Sequence, residues 1–138
     1  MPDLRTRLAL DLVVVNAENA SHGFGLSPAI ATSLLQNGVD VLTLGNHAWD
    51  RRDLIGHIDG EPRIIRPLNY PPGTPWQGSV VAQLADRRNT PVVHVVTRQY
   101  TGPPAAPLIC TDIRLTTLTP RLNRHALFVE VRAPPSIA

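Results

Sequence analysis

Two short polar segments of this sequence contain residue types that bind metals and transfer protons. The first holds Asn16, Glu18 and Asn19, and the second holds Asn46 and His47. A carboxylate, amides and an imidazole suit a hard or borderline divalent metal, with phosphate oxygens as additional ligands. Alternatively, Asn16, Glu18 and Asn19 cap helices and hydrogen-bond to loop amides. The residue types alone leave both interpretations open.

Each polar segment coincides with the end of an apolar run of strand length. Residues 12–18 (LVVVNAE) and 39–44 (VDVLTL) predict two short, buried parallel strands. Between them, Ser27 as N-cap, Pro28 in the first turn and Gly38 after the last turn predict a helix. The carboxyl ends of consecutive parallel strands lie at one edge of a sheet, where α/β proteins bind ligands. We therefore expect the two polar segments to converge.

After residue 48 the sequence predicts further elements joined by proline-rich loops. A helix is predicted over residues 49–58, with Leu54, Ile55 and Ile58 apolar. The remaining predictions are a short strand at 64–65, a rigid loop at 69–75, a hairpin of strands 79–84 and 92–97, a loop at 102–107, a helix at 112–118 and a strand at 126–131. The order strand, helix, strand, helix favours a right-handed βαβ unit in a layered α/β domain.

The composition favours a globular domain and excludes several classes of function. The chain has 138 residues, 43% hydrophobic and 17% charged, which suits one folded domain. Its 13 basic residues are arginines scattered along a chain of net charge +2, so no nucleic-acid-binding surface is expected. No apolar run reaches the ~20 residues of a membrane span, and we expect a soluble, cytoplasmic protein. The single cysteine, Cys110, excludes an internal disulfide and is expected to fill core space.

Four distinctive segments follow one another along the chain. They are NAENA at 16–20, GLSP at 25–28, GVDVLTLGNHAWD at 38–50 and RPLNYPPGTP at 66–75. In sequence, order and spacing they resemble the bacterial YmdB-like metallophosphoesterases, which are calcineurin-type phosphodiesterases linked to cyclic nucleotides. The match is best over residues 1–97, and residues 98–138 diverge. The resemblance implies an α/β fold, a partial calcineurin-like layered sandwich of βαβ units plus a β-hairpin, in a single, incomplete domain over residues 1–138.

The resemblance also implies roles for individual residues. Glu18 resembles the carboxylate that bridges two metals, Asn19 a ligand of one metal and Asn46 a ligand of the other, with iron or manganese as the expected ions. His47 resembles the catalytic histidine, which donates a proton to the leaving oxygen of a phosphodiester or cyclic nucleotide. This is consistent with two-metal chemistry, in which an uncoordinated imidazole supplies the proton. Asp50 either orients the imidazole of His47 or caps the following helix.

The chain departs from the family's pattern at both ends. Residues 1–8 resemble the later part of a first helix, so the preceding strand and its metal-binding Asp are missing. The best register places Arg132 where the family has a metal-binding His, and the chain stops before two further histidine ligands. The resemblance thus implies a truncated metal site and impaired activity, with a non-catalytic phosphate- or nucleotide-binding pseudo-enzyme and a decayed gene fragment as alternatives. Open sheet edges would favour a homo-oligomer.

The other aromatic and imidazole side chains are expected to be mainly structural. Trp49 is expected to pack, and Tyr70 either lines the substrate cleft or belongs to a stiff structural loop. The remaining histidines are expected to be structural or exposed, not metal ligands; they are His22, His57, His94 and His125.

Overall fold

The structure is a computed structural model that describes residues 2–96 and the strand at 128–132. Within these residues the strands form two three-stranded sheets, ordered β1-β2-β3 and β4-β5-β6. In chain order the elements are α1 (Pro2–Arg7), β1 (Val14–Asn16), α2 (Pro28–Gln36), β2 (Val41–Thr43), α3 (Arg52–Ile58), β3 (Ile64–Ile65), β4 (Ser79–Gln83), β5 (Asn89–Val96) and β6 (Phe128–Arg132). No helix of the described residues is long and apolar enough to cross a membrane.

The first sheet is parallel, and its central strand β2 is buried on both faces. β1 pairs with β2 in the register Val14 to Val41, and β2 pairs with β3 in the register Leu42 to Ile64. Because side chains alternate across a strand, Leu42 points to the face covered by α2 and α3, where Ala31 belongs to the same core cluster. The predicted βαβ arrangement is thereby confirmed.

The second sheet covers the opposite face of the first. Val41 and Ile65 of the first sheet form a buried cluster with Val92 of β5. A further link is formed by Asn69, whose side chain donates to the Val96 carbonyl at 2.7 Å and accepts from the Val96 N–H at 3.1 Å. Helices, a parallel sheet and a second sheet therefore form three layers, and the predicted layered α/β fold is confirmed.

The helix α2 begins and ends where its capping residues predict. The Ser27 hydroxyl accepts a hydrogen bond from the Ile30 N–H at 3.4 Å, and Pro28 occupies the first turn. Gly38, directly after the C-cap residue Asn37, has φ +92°, a left-handed conformation that glycine adopts without strain.

Several predicted elements differ from the structure in their bounds; β2, for example, spans Val41–Thr43 and not residues 39–44. For two of them the cause is visible. β1 begins at Val14 and not at residue 12, because the Val13 N–H donates to the Asp40 carboxylate at 2.7 Å instead of to a strand. α3 begins at Arg52 and not at residue 49, because residues 46–49 form a turn, with the Ala48 N–H donating to the Gly45 carbonyl at 3.2 Å.

The three apolar residues of α3 are not all buried. Leu54 and Ile58 are buried, but Ile55 is 42% exposed. The helix packs along one narrow face, because residues three or four apart share a face and Ile55 lies about 100° around the helix from Leu54.

The predicted hairpin is confirmed as the antiparallel pair β4 and β5, with Val80 opposite Val92. Its connection is tight, with Arg87 at φ +67° and the Leu84 N–H donating to the Arg88 carbonyl at 2.8 Å. The predicted last strand is confirmed as β6, parallel to β5 and shifted to residues 128–132. The predicted loop at 102–107 and helix at 112–118, together with Cys110 and His125, lie outside the described residues.

Candidate active site

The two polar segments converge at the carboxyl ends of β1 and β2, as the parallel strands predict. Glu18 is only 3% exposed, and its Oε1 accepts a hydrogen bond from the Asn46 N–H at 2.9 Å. The loop after β1 is shaped by Asn16, whose side-chain oxygen accepts from the Glu18 N–H at 3.0 Å. Asn16 and Glu18 thus hydrogen-bond to loop amides, as the structural interpretation of these residues expects.

Gly45 makes this convergence possible. A Cβ atom on Gly45 would lie 2.1–2.4 Å from the carboxylate atoms of Glu18, a separation that real Cβ atoms do not tolerate. The carboxylate therefore occupies the space that any other residue at position 45 would fill. No sequence pattern assigned a role to Gly45, although it stands directly before the Asn-His pair.

Asn19 and Asn46 are exposed, each in the loop that follows one of the two strands. The Asn19 carbonyl accepts from the Gly23 N–H at 3.1 Å, which closes the loop after Glu18. A buried carboxylate and two exposed amides are oxygen donors of the kind that a hard or borderline divalent metal binds. Because Gly45 lacks a Cβ, the Glu18 carboxylate is accommodated at this edge, and the donor types of Glu18, Asn19 and Asn46 fit a divalent metal.

His47 lies beside these residues and is oriented by a carboxylate. Its Nδ1 lies 2.5 Å from Oδ2 of Asp50, and the imidazole is half-buried. The N-cap position of α3 is Arg51, which makes no side-chain capping bond, so Asp50 pairs with His47 and does not cap the helix. Because Nδ1 is held by the carboxylate, Nε2 is the ring nitrogen available to a substrate.

Aromatic side chains pack behind the site. Trp49 stacks on Trp76 with ring centroids 5.5 Å apart and contacts the Tyr70 ring at 4.7 Å, which confirms the packing role predicted for Trp49. The Tyr70 hydroxyl lies 3.4 Å from the Gly45 carbonyl and donates to it. Tyr70 therefore connects the proline-rich loop to the glycine beneath Glu18.

The loop that carries Tyr70 is held by one arginine. Arg66 is 9% exposed, and its guanidinium donates to the carbonyls of Pro67 at 2.6 Å, Pro75 at 2.9 Å and Thr74 at 3.2 Å. Burial lowers the pKa of Arg66. These contacts support the interpretation of residues 69–75 as a stiff structural loop.

Burial also changes the acidity of Tyr70. Burial first, and then the negative charges of Glu18 and Asp50, raise the pKa of the Tyr70 hydroxyl to about 12, and Arg66 opposes this shift. The folded chain therefore holds this proton to higher pH than the unfolded chain does.

This difference predicts a loss of stability in alkali. The contribution is fully present below pH 10, the usual pKa of tyrosine, and is lost as pH rises toward about 12. We expect the urea midpoint of the wild-type chain to fall over this interval, and Tyr70→Phe to fall less. Equal slopes for the two proteins would contradict the assignment of this titration to Tyr70.

The other histidines of the described residues lie in the loop after β1, in α3 and in β5. His22 is exposed at φ +55°, His57 lies at the end of α3, and His94 is buried in β5. Among the described residues, no three His, Cys, Asp or Glu side chains are grouped as a metal site. Arg132 is the last residue of β6, opposite Val96 in the register.

A parallel sheet between helices and a second sheet, with polar residues at its carboxyl edge, is consistent with the calcineurin-like fold. Comparison with family models then gives the narrower assignment. The chain belongs to the YmdB-like protein family, whose model matches residues 1–136.

Relatives and solved structures agree with this family. The chain is 36% identical over 112 residues to a 2′,3′-cyclic-nucleotide 2′-phosphodiesterase of Bacillus subtilis (strain 168). The aligned region covers 81% of this chain and 42% of that protein. A crystal structure of a hypothetical protein from Thermus thermophilus is 34% identical with a TM-score of 0.73, covering 96% of this chain and 50% of the other. A phosphatase structure from Mycoplasma pneumoniae, 24% identical, shares the fold, with a TM-score of 0.75 and coverage of 96% and 48%. The chain thus spans half or less of each of these proteins.

Proposed function

We propose that this chain carries a metal-dependent phosphodiesterase site that acts on cyclic nucleotides. The observation that carries the proposal is the 2.5 Å contact between His47 and Asp50, at the same sheet edge as the buried carboxylate of Glu18. The Bacillus relative is named for the hydrolysis of 2′,3′-cyclic nucleotides, which supports this substrate class.

In the proposed mechanism, metal binding and proton transfer are carried out by different residues of the site. Glu18, Asn19 and Asn46 would hold a divalent ion, iron or manganese, which when bound supplies Lewis-acid activation of phosphate and water. Hydrolysis forms a bond from a water oxygen to phosphorus, releases one proton of that water to solvent and breaks the phosphorus bond to the leaving ester oxygen. His47 donates the proton on Nε2 to that leaving oxygen, and Asp50 holds the opposite ring nitrogen and stabilises the imidazolium before transfer.

The described residues supply only part of a dinuclear ligand set. Three oxygen donors do not fix two ions in one geometry, and even the loss of outer partners typically lowers affinity or activity by about 10- to 100-fold. We therefore propose that metal binding by this chain is weak and its turnover impaired. The same small donor set favours one alternative, a phosphate or nucleotide binder without catalysis.

Metal dependence and a matched pair of variants test the proposed function. We expect manganese or iron to raise hydrolysis of 2′,3′-cyclic AMP by the purified chain, and Glu18→Gln to remove that increase. Glu61→Gln is the control, because Glu61 pairs with Arg63 before β3, at the opposite end of the strands. Elemental analysis after dialysis against each metal measures binding directly.

Two results would contradict the proposal. The first is a rate of hydrolysis that does not change when metal is added. The second is a metal content that is the same in Glu18→Gln as in the wild type. Nucleotide binding without metal or turnover would instead establish the non-catalytic alternative.

A further inference from the structure

A large aromatic side chain projects beside the candidate catalytic histidine. Phe24 is 61% exposed, yet its ring contacts the His47 ring, with centroids 5.4 Å apart and planes at 88°. We propose that Phe24 is the platform on which the base of a nucleotide stacks. This inference rests on the proposed function. It states that the site binds nucleotides more tightly than phosphate esters without a base because the base stacks on Phe24.

The backbone around Phe24 is held in one conformation. The Phe24 N–H donates to the Ser21 carbonyl at 3.1 Å, and the Ser21 N–H donates to the Gly25 carbonyl at 3.0 Å. The Ser21 hydroxyl in turn accepts from the Ser27 N–H at 2.8 Å, next to the start of α2. These hydrogen bonds fix the loop against the start of α2. The exposed position of the Phe24 ring therefore follows from the backbone conformation of the loop.

The same loop is fixed against His47. Gly25 is buried at φ +66°, and a Cβ there would lie 2.9 Å from Cγ of Arg51 and 3.1 Å from the His47 carbonyl. This close approach requires glycine. The close packing of the Gly25 backbone against residues 47 and 51 therefore helps to determine the distance between the Phe24 ring and the imidazole.

This position suits a base whose phosphate is bound at His47. Asp50 occupies Nδ1, so a substrate phosphate meets Nε2, and the base of a nucleotide lies one sugar ring away from that phosphate. Phe24 offers no hydrogen-bonding group, and stacking on a phenyl ring accepts every base because each has a π face. The platform would thus select for the presence of a base and discriminate little among bases.

Equilibrium binding of AMP and of ribose 5-phosphate tests the inference without requiring turnover. We expect the wild-type chain to bind AMP more tightly than ribose 5-phosphate in titration calorimetry. Phe24→Ala should raise the Kd for AMP roughly tenfold, as expected for a lost base stack, and leave the Kd for ribose 5-phosphate unchanged. Phe24→Tyr should restore AMP binding. Leu8→Ala is the control, because Leu8 is also 61% exposed.

The outcomes separate this inference from the proposed function. Equal affinity of the wild type for the two probes, or an AMP preference that survives Phe24→Ala, overturns the role of Phe24. Absence of metal-dependent hydrolysis overturns the proposed function, yet a preference for AMP that depends on Phe24 would still stand as a property of a nucleotide-binding site.

Discussion

His47→Ala is expected to lower the turnover of 2′,3′-cyclic AMP by about 100- to 10,000-fold, the range that a positioned general acid contributes. In the proposed mechanism the imidazole donates the proton to the leaving oxygen, and Asp50 holds it through Nδ1. His57→Ala is the matched control, because His57 lies at the end of α3 and contributes to no proton transfer in the proposed mechanism. Wild-type turnover in His47→Ala would contradict the assigned role.

Substitution of Asp50 tests whether its contact with the imidazole of His47 contributes to turnover. Asp50→Asn keeps a polar partner near Nδ1 but weakens the contact that orients the ring, so we expect a smaller loss of turnover than in His47→Ala. Asp53→Asn is the control, because the Asp53 carboxylate pairs with Arg51 on the exposed side of α3. Wild-type turnover in Asp50→Asn would show that the short contact with His47 plays no part in proton transfer.

Local sequence signals predicted the elements of the fold well where one residue type decides a boundary. Ser27, Pro28 and Gly38 define α2, because a capping hydroxyl, a fixed φ and a left-handed glycine act within a single turn. The start of α3 could not be placed in this way. No capping side chain precedes Arg52, and the turn at 46–49 contains a backbone hydrogen bond from Ala48 to Gly45, which no particular side chain signals.

For the candidate site, the order of the strands predicts which residues meet at one sheet edge, but not how their side chains contact one another. Parallel strands bring Glu18 and Asn46 to one edge, and the structure shows them hydrogen-bonded. The spacing of His47 and Asp50 fits either a capping carboxylate or an orienting one, and only the folded backbone decides between them. The contact of Phe24 with His47 joins residues 23 positions apart, so no local pattern in the sequence indicates it.

Gly45→Ala is expected to destabilise the chain by about 2–4 kcal/mol, through overpacking and a lost hydrogen bond. The new Cβ would lie 2.1–2.4 Å from the Glu18 carboxylate, so either the carboxylate or the backbone must move. Movement of the carboxylate leaves the Asn46 N–H without its acceptor. Gly56→Ala is the control: outside its own chain neighbours and helix backbone, nothing lies within 4 Å of its Cβ position in α3, so the free energy of unfolding should rise by up to about 1 kcal/mol.

A double-mutant cycle identifies the cause of the Gly45→Ala effect. If the clash with Glu18 is responsible, Gly45→Ala should cost far less in a Glu18→Ala background, because the group that fills the space is gone. Urea unfolding of the four proteins measures this coupling without any assay of activity. Additive losses would mean that position 45 needs glycine for a reason other than the Glu18 carboxylate. A strong coupling would establish that the buried carboxylate and the glycine beneath it form one unit, on which any ligand of Glu18 depends.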